Sequence, residues 1–270
     1  MEVLHFIHIS DTHVGPTLDA DVRGALSSER TSRLVAGINR LPFDLQAVVH
    51  TGDIVNDPDL EAYRLAAELM RPLRVPLLTV VGNHDDADMI RDAFPGIGKP
   101  LGKDPQRHAY SMDLAGHRLF VLDAKVSDPQ DPSGFLPEDQ LAGLLEEVEN
   151  TRGPFSVWLH YPPLDLYASW MNEYLLLRNG EDLHEALVPY AGRGGRLSGV
   201  FFGHIHRSMQ IYRDGVLYSA VSSPACEFTA YPGPERIEFL SDCDPFFHHI
   251  SFGPQGTVVK GYPVRDSSLQ

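Results

Sequence analysis

The stretch from Val48 to Asp57 constrains the fold of this chain more than any other. Val48 and Val49 are typical of the end of a buried strand. Gly52 then permits a sharp turn, and Asp53 stands where the strand stops. Open α/β sheets bind ligands at the carboxyl ends of their strands, so Asp53 is predicted to lie at a binding edge. Taken alone, Asp53 would fit a turn or a helix cap equally well.

Four other predicted strands also end in His, Asp or Asn side chains. With Asp53, the candidate groups are Asp11 and His13; Asn83, His84 and Asp85; His160; and His204 with His206. In Asp-X-His and His-X-His one residue separates the two side chains, so in an extended loop both point the same way. Imidazole, carboxylate and amide groups together suit Mn, Fe, Co, Ni or Zn. We therefore predict two metal ions that share Asp53, because one carboxylate has two oxygens.

Two such cations, about 3.5–4 Å apart, would convert a bridging water to hydroxide and stabilise charge on a phosphoryl group. Each motif alone is ambiguous: Asp11-Thr12-His13 is more often a turn, and Gly203-His204-Ile205-His206 is the most specific of the set. The combination of five motifs, each at a strand end, favours metal binding. The remaining histidines are predicted to be core or surface residues, with His50 supporting Asp53 from its strand.

Hydrophobic periodicity predicts a β-α-β-α-β order in the first third of the chain. The strands are at 4–10, 46–51 and 76–81, and the helices at 27–41 and 58–70. Parallel strands joined by right-handed crossovers follow from this order. Next come a hairpin at 108–114 and 117–123, helices at 137–148 and 181–188, strands at 155–159 and 197–202, and then short strands and turns without a helix. The pattern predicts two sheets packed face to face with helices outside.

Composition and charge narrow the function classes. The chain has 270 residues, 43% of them hydrophobic, and no apolar run long enough to span a bilayer, so we expect a soluble protein without a membrane partner. No secretory signal is visible, and Cys226 and Cys243 fit reduced thiols in a cytoplasmic protein, with a disulfide or an accessory metal site as alternatives. The net charge of −15 argues against an extended nucleic acid and for a small anionic substrate held by metals.

The motifs resemble those of the calcineurin-like metallophosphoesterases, from about residue 5 to about residue 225. The resemblance implies an α/β fold, a four-layer αββα sandwich of two mixed β-sheets flanked by helices. It also implies two ligand sets: Asp11, His13, His206 and the shared Asp53 for one metal, and Asp53, Asn83, His160 and His204 for the other. The expected cofactors are therefore two divalent ions, Mn or Fe with Mn, while Zn, Co and Ni stay open.

The same resemblance implies roles in catalysis. His84 would contact the phosphate and serve the leaving oxygen, as a general acid or an electrostatic stabiliser. Asp85 would orient His84 through its ring nitrogen. Asn83, His84 and His206 are the expected substrate-binding residues.

Within the family, the chain looks like the class III cyclic nucleotide phosphodiesterases and the related glycerophosphodiesterases. Asn83-His84-Asp85, the Pro-Pro after His160 and the segment 175–181 carry this likeness, whereas Tyr161 replaces a histidine common in the subgroup. The expected function is hydrolysis of small phosphodiesters, first of all 3′,5′-cyclic nucleotides. Glycerophosphodiesters, other diesters or monoesters, a nuclease, and a non-catalytic scaffold of the same fold remain alternatives.

The domain organisation is predicted to be simple. We expect one domain over 1–270, with a cap or dimerisation segment at about 164–180 and a strand-rich C-terminal extension at about 226–270. The aromatic part of that segment, 164–174, would cover the metals and stack on a base, or else form an apolar lid or dimer contact without a substrate role. A homodimer is left open.

Overall fold

Two β-sheets carry most of the chain. The computed structural model describes residues 2–96, 98–233 and 236–265. In spatial order, the five-stranded sheet consists of β16 (Gly256–Pro263), β15 (Phe246–Gly253), β1 (Leu4–Ile9), β4 (Ala47–His50) and β5 (Leu77–Thr79). The seven-stranded sheet consists of β11 (Met209–Arg213), β12 (Val216–Ala220), β10 (Leu197–Phe202), β9 (Phe155–Trp158), β8 (His117–Val121), β7 (Tyr110–Leu114) and β6 (Lys99–Pro100). Two ribbons pair β2 (Asp21–Val22) with β3 (Ala25–Leu26) and β13 (Glu227–Phe228) with β14 (Phe239–Leu240).

The helices begin and end close to the predicted bounds. They are α1 (Ser27–Ile38), α2 (Leu60–Met70), α3 (Ala87–Ala93), α4 (Glu138–Asn150), α5 (Ser169–Tyr174) and α6 (Gly180–Leu187). Asp59 starts α2 by accepting hydrogen bonds from the backbone N–H groups of Glu61 and Ala62 at 2.8 and 3.2 Å. Asp86 caps α3 in the same way. Neither α3 nor α5 was predicted, because six or seven residues are too few to show helical periodicity.

The strand pairing confirms the predicted parallel core of the first sheet. β4 runs parallel to both β1 and β5, and β8, β9, β10 and β12 run parallel in the second sheet. The prediction of only short strands after residue 206 is wrong, because β15 and β16 have eight residues each. β15 pairs antiparallel with β1, so the C-terminal hairpin belongs to the first sheet. Residues 234, 235 and 266–270 of the predicted extension, like residue 1, lie outside the described residues.

Four layers result from the packing of the two sheets. Phe6 and Val49 of the first sheet share one buried cluster with Trp158 and Phe201 of the second. Helix α1 covers the outer face of the first sheet, and α4 and α6 cover the outer face of the second. The αββα sandwich is therefore confirmed. In the described part of the chain, no helix is both long enough and apolar enough to span a membrane.

Candidate metal centre

The loops after β1, β4 and β10 bend sharply to bring the candidate ligands together. Five of these residues have a left-handed backbone: Asp11 (φ 55°), His13 (φ 44°), Asp53 (φ 55°), His204 (φ 70°) and His206 (φ 48°). Such a conformation costs a non-glycine residue about 1–3 kcal/mol and persists only where the surrounding structure imposes it. The concentration of strained backbone at this one place is typical of a functional site.

Two glycines allow the loops to approach one another. A Cβ atom at Gly52 would lie 2.6 Å from His160 Nδ1, and one at Gly203 would lie 2.7 Å from Asp11 Oδ2. Both distances are too short for any larger residue without movement of the candidate ligands. Gly52 and Gly203, which directly precede Asp53 and His204, are thus part of how the site is assembled.

One group of candidate ligands consists of Asp11, His13 and His206, whose ligand atoms lie within 4.8 Å of one another. His206 Nε2 lies 3.3 Å from Asp11 Oδ1 and 3.0 Å from His13 Nε2. All three side chains are buried. These three residues are the first predicted ligand set without Asp53, the carboxylate predicted to be shared. Asp53 Oδ2 lies 3.7 Å from His13 Nε2.

A second group consists of Asp53, His160 and His204, again within 4.8 Å of one another. His160 Nε2 lies 3.4 Å from Asp53 Oδ2 and 3.2 Å from Asn83 Oδ1. Asp53 therefore contacts both groups, as expected of a shared ligand. The structure brings all seven predicted ligands to one place, although their binding of metal stays a prediction.

Backbone carbonyls orient two of the imidazoles. His160 Nδ1 donates to Thr51 O at 2.7 Å, and His206 Nδ1 donates to Cys226 O at 2.9 Å. In each ring this hydrogen bond leaves Nε2 as the atom available to a metal. His50, predicted to support Asp53, accepts a hydrogen bond on Nδ1 from Gly52 N at 3.3 Å, next to Asp53, while its Nε2 lies 2.9 Å from Thr12 Oγ1 in the loop that carries Asp11 and His13.

Two buried polar atoms of the site test whether cations fit. Among the residues that the structure describes, His204 Nε2 has no hydrogen-bond partner, and Asp11 Oδ1 has no hydrogen bond beyond the ion-pair contact with His206 Nε2 at 3.3 Å. An unpaired buried carboxylate oxygen or imidazole nitrogen is costly unless another group binds it. Oxygen and nitrogen donors of this kind suit divalent transition metals, so the residues fit the implied ions.

The pKa values show how the protein balances its buried charges. Burial alone would lower the pKa of His160, but Asp53 overcomes it and raises the pKa to about 9. Asp11 likewise overcomes burial at His206 and raises its pKa to about 9. Burial, with the charge of His160, lowers the pKa of His204 to about 3. Without a cation, protons on His160 and His206 therefore neutralise the two aspartates, and a cation would displace those protons.

His84 is held by a contact that the sequence did not indicate. Its Nδ1 donates to Asn56 O at 2.5 Å, and its backbone N–H donates to Asp53 Oδ1 at 2.9 Å. The prediction that Asp85 orients the His84 ring is therefore wrong. His84 also lies within 4.8 Å of the ligand atoms of His13 and Asp53.

Asp85 instead connects the loop after β4, which carries Asp53, to its own loop after β5. Its Oδ1 accepts hydrogen bonds from Ile54 N and Tyr63 Oη at 3.0 and 3.2 Å, and its Oδ2 accepts from Gly82 N at 3.0 Å. Buried backbone N–H groups have no water to bond to and need another acceptor. The Asp85 carboxylate is that acceptor for Ile54 and Gly82, and it is not the partner of the His84 ring that the sequence predicted. Burial, followed by the charge of Asp53, raises the pKa of Asp85 to about 6.

A cavity of about 120 Å³ opens onto the candidate ligands. Its walls include Asp53, Asn83, His84, His204 and His206, together with Arg23, Trp170, Leu175, Phe228 and Phe239. Trp170 belongs to the segment 164–180 that was predicted to be a cap, so this segment contributes a side chain to the cavity wall. A larger cavity of about 580 Å³ lies between α4 and β6, but none of the candidate ligands lines it. We therefore assign function to the smaller cavity, where the strained loops and buried carboxylates lie.

Comparison with known proteins identifies the family. Residues 4–208 match the family described as "Calcineurin-like phosphoesterase". The glycerophosphodiester phosphodiesterase GpdQ of Enterobacter lignolyticus is 30% identical over 213 residues, which cover 78% of this chain and 74% of the relative. The 3′,5′-cyclic adenosine monophosphate phosphodiesterase CpdA of Haemophilus influenzae is 26% identical over 254 residues, which cover 89% of this chain and 87% of the relative.

Solved structures support the fold alone. Purple acid phosphatase PPD1 from yellow lupin superposes with a TM-score of 0.64 at 14% identity, covering 99% of this chain but only 52% of the phosphatase. The protein TT1561 of Thermus thermophilus gives a TM-score of 0.55 at 10% identity, over 98% of this chain and all of the other. The chain therefore belongs to the calcineurin-like phosphoesterase family, a family of metal-dependent hydrolases of phosphoric esters.

Proposed function

We propose that this protein hydrolyses small phosphodiesters, with 3′,5′-cyclic nucleotides as the first candidate substrates. The observation that carries the proposal is the pair of ligand groups that meet at Asp53, beside a cavity that His84 also lines. The relatives named as phosphodiesterases favour a diester over a monoester. The net charge of −15 favours a small anion over a long nucleic acid.

Two divalent cations, Mn or Fe with Mn, are the proposed cofactors. One would be held by Asp11, His13, Asp53 and His206, and the other by Asp53, Asn83, His160 and His204. When bound, such ions supply an activated water and neutralise charge on the phosphoryl group. The protein supplies a largely buried set of donors, of which His160 and His206 are oriented by backbone carbonyls.

His84 is the proposed catalytic residue of the chain itself. The hydrogen bond to Asn56 O keeps a proton on Nδ1, so Nε2 is the ring atom left for a ligand in the cavity. In its imidazolium form, Nε2–H can donate a proton to the leaving oxygen or stabilise its charge. Asp85 is a positioning residue, because it fixes the loops of Asp53 and His84 without touching the cavity.

The cavity walls suggest how the rest of the substrate binds. A volume of about 120 Å³ is below the roughly 300–1,000 Å³ of pockets that enclose drug-sized ligands, so it admits a phosphoryl group rather than a whole nucleotide. The base would then lie against the aromatic rim, to which the cap segment contributes Trp170. Asn83 and His206 line the inner wall and are the proposed contacts to the phosphoryl group.

A second candidate function is hydrolysis of glycerophosphodiesters. The small cavity favours a compact substrate without a base, and the relative named GpdQ is 30% identical to this chain. A broad-specificity enzyme would satisfy the same two observations. We also propose a cytoplasmic location, which the free thiols of Cys226 and Cys243 support. A homodimer stays a prediction.

The proposal is tested with Mn-loaded protein and bis(4-nitrophenyl) phosphate. We expect Asp53→Asn and His84→Gln each to lower kcat by about 100-fold or more, the range for loss of a metal ligand or general acid. Glu68→Gln, which removes an exposed carboxylate on α2, is the control and should match the wild type. Undiminished turnover in both site variants would overturn the proposal.

A substrate panel then separates the candidate functions. Cyclic AMP, a glycerophosphodiester, 4-nitrophenyl phosphate and single-stranded DNA are compared with Mn, Fe and Zn in turn. Preference for cyclic AMP supports the first candidate, and preference for the glycerophosphodiester supports the second. Absence of both bound metal and turnover after reconstitution would favour a non-catalytic scaffold.

A further inference from the structure

Arg23 holds an unusual backbone position beside the cavity. It lies in the turn between β2 and β3 with φ of 53°, and Gly24 follows with φ of 85°. Two consecutive positive φ angles favour Asn-Gly or Gly-Gly in a two-residue hairpin turn, not an arginine. The backbone N–H of Gly24 donates to Asp21 Oδ1 at 2.9 Å, which stabilises the turn. A strained arginine held in this way points to a function for its side chain.

Two aromatic rings fix the guanidinium group. The Cζ atom of Arg23 lies 5.6 Å from the ring centroid of Phe228 and 5.2 Å from that of Phe239, within the range of cation–π contacts. Phe228 in turn stacks on His206, with ring centroids 4.0 Å apart and an interplanar angle of 13°. This stack connects the arginine to a predicted metal ligand and places it at the wall of the cavity.

The positive charge of Arg23 is not neutralised by a neighbouring carboxylate. In residues 2–96, 98–233 and 236–265, no ion pair or hydrogen bond engages its side chain. By contrast, Arg107 pairs with Asp123, and Arg207 pairs with Glu227. In a chain with a net charge of −15, an unpaired arginine at the cavity is a site for an anion.

We propose that Arg23 binds an oxygen of the substrate's phosphoryl group at the wall of the cavity that Phe228 and Phe239 also form. This inference rests on the proposed function of the site. Phe228 and Phe239 flank the guanidinium group, and its planar set of N–H donors matches the geometry of phosphoryl oxygens.

The test uses the Mn-loaded full chain and two readouts, calorimetric binding of inorganic phosphate and kinetics on bis(4-nitrophenyl) phosphate. We expect Arg23→Gln to weaken phosphate binding by about 10- to 100-fold, the range for loss of a charge-assisted hydrogen bond. KM should rise by a similar factor and kcat should change less. Arg23→Lys keeps the charge but loses the planar edge, so it should fall between the wild type and Arg23→Gln.

Arg64→Gln is the matched control, because it removes one exposed guanidinium from α2 and should bind phosphate like the wild type. Unchanged phosphate binding by Arg23→Gln would overturn the inference. So would a loss of binding that is accompanied by lower metal content and a lower thermal midpoint, since Arg23 would then only support Phe228 and Phe239. If the wild type binds phosphate through Arg23 but turns over no ester, the proposed function fails and this inference stands.

Discussion

At the scale of single residues, backbone carbonyls rather than side chains orient the imidazoles of the site. His84, His160 and His206 each donate Nδ1–H to a carbonyl oxygen from another part of the chain. Every residue has a carbonyl, so no residue type in the sequence marks these partners. The sequence therefore predicts which rings gather at the site but not what holds them.

Asp85 provides the sharpest test at this scale. Asp85→Asn replaces one carboxylate oxygen by an NH₂ donor, which then faces the N–H of either Gly82 or Ile54. Leaving a buried donor without an acceptor costs about 1–3 kcal/mol, so the free energy of unfolding should fall by this amount in urea titrations. Asp86→Asn is the control, because Asn caps a helix as well as Asp does and α3 should be unaffected. Equal stability of Asp85→Asn and Asp86→Asn would contradict the prediction.

The same residues show how far the sequence leads. Asp53 and His204 were predictable because their residue types have metal-ligand chemistry and each follows an apolar strand. Arg23 was not, because its importance depends on Phe228 and Phe239, which lie more than 200 positions away. Asp85 was predicted as important but for the wrong contact, because a carboxylate next to a histidine in sequence need not face its ring.

At the scale of the elements, the turns after the strands must pass very close to one another. A Cβ atom at Gly203 would meet Ser10 and lie 2.7 Å from Asp11 Oδ2. We expect Gly203→Ala to lower the free energy of unfolding by about 1–3 kcal/mol, the usual cost of overpacking, and to lower Mn content. Gly96→Ala is the control, because its added Cβ would have no heavy atom within 4 Å among the described residues beyond its chain neighbours. If Gly203→Ala has the stability and Mn content of the wild type, the turn accommodates a Cβ atom and the prediction is wrong.

His117 links the two sheets and makes stability depend on pH. Its ring stacks on Phe252 of β15, with centroids 4.2 Å apart, and burial lowers its pKa to about 4. Between pH 6.5 and 4 the unfolded chain takes up a proton that the folded chain refuses, so stability present above pH 6.5 is lost as the pH falls. This amounts to about 1.4 kcal/mol per pH unit, or about 3 kcal/mol in all.

In His117→Gln the unfolded chain should no longer bind this extra proton between pH 6.5 and 4. We expect the slope of unfolding free energy against pH, measured by urea titration between pH 4 and 6.5, to decrease by one proton relative to the wild type. The variant itself should be less stable at pH 7, because the ring contact with Phe252 is lost. Parallel pH profiles for the two proteins would contradict the role of His117.

The sequence predicts the elements better than their arrangement. Apolar runs such as β4, each followed by a helix, indicate parallel strands without any knowledge of the fold. β15 was underestimated because His248 and His249 interrupt its apolar pattern, although both are buried. Its pairing with β1 joins residues more than 230 positions apart, and such long-range register leaves no local pattern.

At the scale of the whole molecule, the fold buries two carboxylates that only cations or protonated histidines can balance. Asp11 and Asp53 lie at the junction of the two sheets, and both are almost wholly inaccessible to water. Burial opposes their ionisation, but the neighbouring histidines keep the pKa of each below its usual range. Stability of the whole chain should therefore depend on what fills the site.

Metal-linked stability distinguishes the shared aspartate from the unshared one. Asp53 contacts both ligand groups, whereas Asp11 belongs to one. Free Mn²⁺ at about 100 times its Kd adds about 2.7 kcal/mol per site to the free energy of unfolding, and a chelator removes it. Asp11→Asn should retain about half of the Mn bound by the wild type, measured by elemental analysis, and about half of this stabilisation, while Asp53→Asn should retain little of either. If Asp53→Asn binds as much Mn as Asp11→Asn, the two ions do not share Asp53.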